Sequence, residues 1–131
     1  MAYPLRKSNN APIVLVIEDD ALARVLAVSA FDDAGFIVME GDNAAQALAI
    51  LGENGDYINA VFTDVDMPGE MDGLQLALHA HERWPDVGFV VASGKPDLSA
   101  ADMPCGTRFF SKPYDTERVI DHIRGIALAT A

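Results

Sequence analysis

Residues 13–20 read IVLVIEDD. The five apolar residues, mostly β-branched, leave no position for solvent, which is the pattern of a strand buried on both faces in a parallel sheet. The acidic triplet ends that strand, and Asp20 stands where a helix N-cap belongs. Leu22, Val25, Leu26 and Ser29 then fall at i, i+3, i+4 and i+7, the spacing of one helix face, and Gly35 closes the helix as a C′ residue.

Outward from this unit the two periods keep alternating. Phe36–Met39 reads as a second strand, and Asp42 as the cap of a second helix running through Leu48 and Leu51. Ile58–Thr63 is a third strand ending at Asp64. A loop with Pro68 and Gly69 leads to a third helix from about Asp72 to Trp84, stopped by Pro85. Val87–Ala92 and Thr107–Ser111 read as the fourth and fifth strands, and Asp115 caps a last helix that turns Val119, Ile120, Ile123 and Ile126 inward. Strict alternation predicts a doubly wound α/β fold: a five-stranded parallel sheet with helices on both faces and right-handed crossovers. The stretch GKPDLSAADMPCG (94–106) breaks the rhythm. It carries no helical stripe, so the fourth helix is expected to be short or degenerate.

The 131 residues suffice for one domain, and half of them are hydrophobic, which excludes a disordered chain. Twenty acidic against nine basic side chains give a formal charge of -11, a field that disfavours nucleic-acid backbones and anionic membranes. A single cysteine, Cys105, excludes an internal disulfide and fits a reducing, cytoplasmic setting. Residues 1–11 are expected to form a loose arm, with the domain proper over 12–131. No apolar run approaches a signal core or a membrane span.

Ligands of open parallel sheets bind beyond the carboxyl ends of the strands. Those ends carry Glu18 and Asp19, Asp64, Ser93 and Lys112. Three crowded carboxylates resist ionising together unless a cation joins them, and all-oxygen ligation favours magnesium. A carboxylate can also attack phosphorus to give an acyl phosphate, with the metal and a lysine neutralising the phosphoryl oxygens. Taken singly, Asp64 reads as a turn residue, Glu18-Asp19-Asp20 as a charged helix start, and Ser93 and Lys112 as surface groups. Their joint register favours a site.

EDD at 18–20, FTDVDMPGEMDG at 62–73, ASG at 92–94 and FFSKP at 109–113 together resemble the response-regulator receiver domain over roughly residues 12–128. The resemblance implies a flavodoxin-like strand order 2-1-3-4-5 and a switch accepting a phosphoryl group on Asp64 from a sensor histidine kinase or a histidine phosphotransfer protein. It assigns Mg2+ to Glu18, Asp19, Asp64 and the backbone carbonyl of Asp66. It makes Ser93 the switch hydroxyl, Lys112 the phosphate-facing lysine and Phe109 the switch aromatic, with a cis bond before Pro113. Such a domain modifies itself and is not an enzyme acting on free substrates. With the sequence ending at Ala131, output is expected through a protein target or onward phosphoryl transfer.

Three features depart from the family pattern. Glu18 replaces the commoner Asp, the loop after Pro68 holds two residues, Gly69 and Glu70, where one is usual, and the span from Ser93 to Lys112 is short. The competing function is a magnesium-dependent aspartyl-phosphate hydrolase, whose D-x-D pair Asp64-Val65-Asp66 mimics; a flavodoxin-like binding module lacks its phosphate loop after the first strand. His79 and His81 point to different sides of one helix, and His122 reads as a surface residue. Trp84 reads as a helix-end anchor, Met67, Met71 and Met103 as packing residues, and Cys105 as unreactive.

Overall fold

A computed structural model describes residues 11–95, 98–104 and 106–129. The expected arm, except for Ala11, and Cys105 lie outside the described residues. Five strands, β1 (Ile13–Ile17), β2 (Ile37–Gly41), β3 (Ala60–Asp64), β4 (Gly88–Ser93) and β5 (Thr107–Ser111), form one sheet. Its order is β2-β1-β3-β4-β5, and every pairing is parallel. The α-helices are α1 (Ala21–Asp33), α2 (Ala44–Asn54), α3 (Gly73–Arg83) and α4 (Thr116–Ala129).

Alternation along the strands feeds two cores. Leu15, Ile17, Val61, Phe89 and Val91 pack with Leu51 of α2 and Leu76 of α3. Val14, Val16, Phe62 and Val90 pack on the opposite face with Phe31 of α1 and with Val119 and Ile123 of α4. All five residues of β1 are buried, as its uninterrupted apolar run requires.

The helix ends follow local chemistry. Asp20 accepts from the Ala23 N–H at 2.9 Å, and Gly35, at φ +94°, closes α1 in the left-handed region. Asp72 and Gln75 form a reciprocal capping box on α3, with bonds of 2.9 and 3.0 Å. The second cap stands one residue beyond the expected Asp42: Asn43 Oδ1 accepts from the Gln46 N–H at 2.8 Å, while the Asp42 N–H donates to Gln46 Oε1. Asp115 accepts from the Glu117 N–H at 3.0 Å ahead of α4.

The expected face of α1 is corrected. Leu22, Val25 and Leu26 are 69%, 60% and 63% exposed. The helix instead turns Ala27, Ala30, Phe31 and Ala34 toward the sheet, the competing i, i+3, i+4, i+7 stripe. Alanines let α1 approach closely, and Phe31 supplies the anchor by edge-on contacts with Phe36 and Phe62, centroids 5.3 and 5.9 Å apart. The degenerate fourth helix is observed: the helical turn among the described residues between β4 and β5 is a three-residue 3-10 segment, Ala100–Asp102.

Candidate functional site: an acidic cluster at the carboxyl edge of the sheet

Each strand end delivers its side chain by backbone pairing. The Glu18 N–H donates to Gly41 O at 3.1 Å, extending the ladder one residue past β1. Arg24 braces that turn, donating to Glu18 O at 2.8 Å and pairing with Glu40 at 3.3 Å. The Val65 N–H donates to Ala92 O, and the Lys112 N–H donates to Ser93 O, each at 2.9 Å. The Lys112–Pro113 bond is cis, as the sequence reading expects.

Glu18, Asp19 and Asp64 each offer one carboxylate oxygen, and the three oxygens lie within 4.8 Å of one another. The Asp64 side chain is only 9% exposed, and Lys112 Nζ reaches its Oδ1 at 3.2 Å. The Asp66 N–H donates to the same Oδ1 at 3.3 Å. Ser93 is fully buried, and its hydroxyl accepts from the Lys95 N–H at 3.0 Å. Lys95 Nζ and Asp66 Oδ1 form an ion pair of 3.0 Å at the mouth, with both side chains about half exposed. Phe109 pairs with Val91 in the ladder, on the Ser93 face of the sheet, and packs against that core half-buried.

Two contributors were not anticipated from the sequence. Tyr114 lines a small cavity beneath the cluster together with Glu18, Asp64 and Lys112, its ring edge-on to Phe62 at 5.5 Å. Its neighbour Lys112-Pro113 was the available signal. Arg24 is the other; nothing in its spacing indicates that it grips a strand end. His79 is exposed and His81 half-buried, and neither joins the cluster. His122 is half-buried rather than on the surface, its ring 6.2 Å from Phe110, and burial with nearby Arg108 lowers its pKa. Trp84 packs on the core with Arg83 stacked over it at 4.6 Å.

Burial dominates the electrostatics of the cluster. Burial raises the Asp64 pKa and outweighs the hydrogen bond and charge of Lys112. Burial, with the Asp64 charge and Asp19, raises that of Glu18 against the Asp20 N–H and Lys112. Burial pulls Lys112 down, but Asp64 and Glu18 more than reverse it, so its pKa rises. Clustered, all-oxygen and acidic, the donor set fits a hard divalent cation such as Mg2+.

These directions fix a pH dependence. A carboxylate whose folded pKa is raised opposes folding once it ionises, so its penalty is complete above the folded value and vanishes below the ordinary 3.8 of Asp64 or 4.5 of Glu18. Lys112 acts at the other end, supporting the fold until pH rises through its own raised value, above 10.5. Asp64→Asn should therefore stabilise the metal-free protein by about 1 kcal/mol at neutral pH. The gain should shrink as pH falls into that window. Thermal melts of both proteins across the acid limb check this; a gain independent of pH would contradict it.

This is a flavodoxin-like α/β domain with an acidic rim. The chain belongs to the response-regulator receiver domains of two-component signalling, matching the family described as "Response regulator receiver domain" over residues 14–124. It is 34% identical over 122 residues to the response regulator receiver protein CpdR of Brucella abortus (strain 2308), covering 88% of this chain and 97% of that one. It is 32% identical over 114 residues to the sensor kinase CckA of the same organism, covering 85% of this chain but spanning only 12% of the kinase. Among solved structures, a response regulator receiver protein from Sinorhizobium medicae WSM419 superposes with a TM-score of 0.81 at 28% identity, covering 92% and 98% of the two chains. Receiver domains are signalling switches rather than conventional enzymes. Among the described residues no helix is long and apolar enough to cross a membrane.

Proposed function

We propose that the domain is switched by phosphorylation of Asp64, taking the phosphoryl group from a phosphohistidine protein with Mg2+ held by Glu18, Asp19, Asp64 and the backbone carbonyl of Asp66. The observation that carries this reading is the position of Asp64, a nearly buried carboxylate in contact with both an acidic cluster and a lysine. A bound magnesium ion would neutralise phosphoryl oxygens. An Asp64 oxygen attacks phosphorus, the phosphorus–nitrogen bond of the donor breaks, and the imidazole leaves with the electron pair. Lys112 offsets the charge gathering on the phosphoryl oxygens. Ser93 then hydrogen-bonds one of those oxygens, exchanging its contact with Lys95, and Phe109 repacks beside it. The exposed Leu22, Val25 and Leu26 strip on the helix after the acidic pair supports protein docking near this rim.

Incubation with acetyl phosphate or phosphoramidate and Mg2+, followed by intact mass and peptide mapping, tests the reading. One phosphoryl adduct per chain is expected, abolished by chelator. Steady phosphate release from small monoesters would favour the hydrolase instead. In the described structure the carboxylate of Asp66, the second member of the D-x-D pair, is occupied by Lys95, which weighs against that alternative.

The same ion pair is expected to set the lifetime of the adduct, because it spans the mouth through which water reaches phosphorus in line. An exposed pair is worth about 0.5 kcal/mol, so Lys95→Ala should lose phosphate roughly twofold faster than the unmodified domain. First-order decay of wild type, Lys95→Ala and Asp66→Ala measures it, and identical rates would remove the pair from the mechanism.

A further inference from the structure

A second concavity lies beside the acidic cluster, on the flank of α2. It encloses about 830 Å³ between the first turns of α2 and the loop from β3 to α3. Pro68, Met71 and Leu48 provide apolar walls, and Asp19, Asp42 and Glu70 contribute carboxylates at its edges. Gly69 and Glu70, the two loop residues where the family pattern has one, line the groove beside Pro68 and Met71. Among the described residues, no lysine, arginine or histidine lines it. Asp42 is half-buried and Asp19 and Glu70 are exposed, and none of the ion pairs between described residues reaches the three.

We propose that this groove docks a segment of a partner protein that carries an apolar side chain flanked by lysine or arginine. The volume is in the range of sites that take a drug-sized ligand, enough for a short peptide segment, and the apolar walls give the contact its non-polar component. Charge complementarity decides the occupant: Asp42 and Glu70, which take no part in the proposed metal site, line the opening beside Asp19. The N-terminus of α2 acts in the opposite direction, but a helix end amounts to only about half a charge, and Asn43 already caps the Gln46 N–H. An acidic or phosphorylated segment is therefore repelled. The inference stands independently of whether Asp64 is phosphorylated.

The test uses the whole chain and two synthetic peptides of equal length, a leucine flanked by arginines and the same leucine flanked by glutamates. Amide shifts in a 15N spectrum report both site and affinity. For the arginine peptide, saturable shifts centred on residues 42–48 and 69–71 are expected, with binding weakened by salt. Asp42→Asn combined with Glu70→Gln should weaken it about fivefold, leaving Asp19 untouched. Leu48→Ala should weaken it independently of salt. No saturation at millimolar peptide, shifts centred elsewhere, or equal binding of the glutamate peptide would each overturn the proposal. Because acetyl-phosphate labelling of Asp64 is measured separately, failure of this test leaves the phosphorylation reading standing.

Discussion

Asp64→Ala should carry no phosphoryl adduct after exposure to acetyl phosphate and Mg2+, because the substitution removes the oxygen that would bond to phosphorus. The neighbouring carboxylates are not expected to substitute. Among the described ion pairs Asp64 is the one member of the cluster with a cation in contact, Lys112 at 3.2 Å, and it accepts the Asp66 N–H on the same oxygen, so a positive charge is placed to offset charge as phosphorus approaches. Glu18 is tied down through the Asp20 N–H at 3.1 Å, and Asp19 is exposed, without a lysine or arginine partner among the described ion pairs. Lys112→Ala separates the roles: label should still appear on Asp64, about 100-fold more slowly. Intact mass against time, with peptide mapping, reads both variants. An adduct that persists in Asp64→Ala would move the acceptor elsewhere.

The parallel sheet was legible because strands covered on both faces have no polar positions, and Ile13–Ile17 shows that without ambiguity. The rim was legible for a related reason: once the strands are placed, their carboxyl ends follow, and with them Glu18, Asp19, Asp64, Ser93 and Lys112. The Lys95–Asp66 pair could be anticipated because each residue lies two positions beyond a strand-end residue at the same mouth. What failed was the weighting of size. In α1 the large side chains at 22, 25 and 26 outweigh alanine in a hydrophobic pattern, yet close helix–sheet approach selected the small stripe anchored by Phe31. The cap at Asn43 was missed because Asp42 and Asn43 are equally able caps, and only the reach of Gln46 back to both decides between them. Tyr114 and Arg24 act through side-chain directions that tertiary packing fixes and spacing does not.

The largest stability effect is expected at Gly73, the first residue of α3, where two arguments of opposite sign meet. Helix propensity alone favours Gly73→Ala by about 1 kcal/mol. Space forbids it. An added Cβ would overlap the Asp64 carbonyl oxygen and lie 2.9 Å from both the Asp64 carbonyl carbon and the Val65 Cα. These are backbone atoms at the end of a central strand, and the Gly73 N–H itself donates to Val65 O at 2.9 Å, so neither side can yield without breaking the junction. Overpacking of this kind costs about 3 kcal/mol, which exceeds the propensity gain and displaces the backbone that presents Asp64. Gly52 in α2 and Gly125 in α4 are the controls, since a Cβ at either meets nothing within 4 Å. Gly52→Ala and Gly125→Ala should each stabilise by about 0.5–1 kcal/mol. Urea unfolding, with midpoints compared at unchanged slope, reads all three variants. A Gly73→Ala midpoint that moves upward with the controls would show that the junction between β3 and α3 is not the tight contact on which the placement of Asp64 depends.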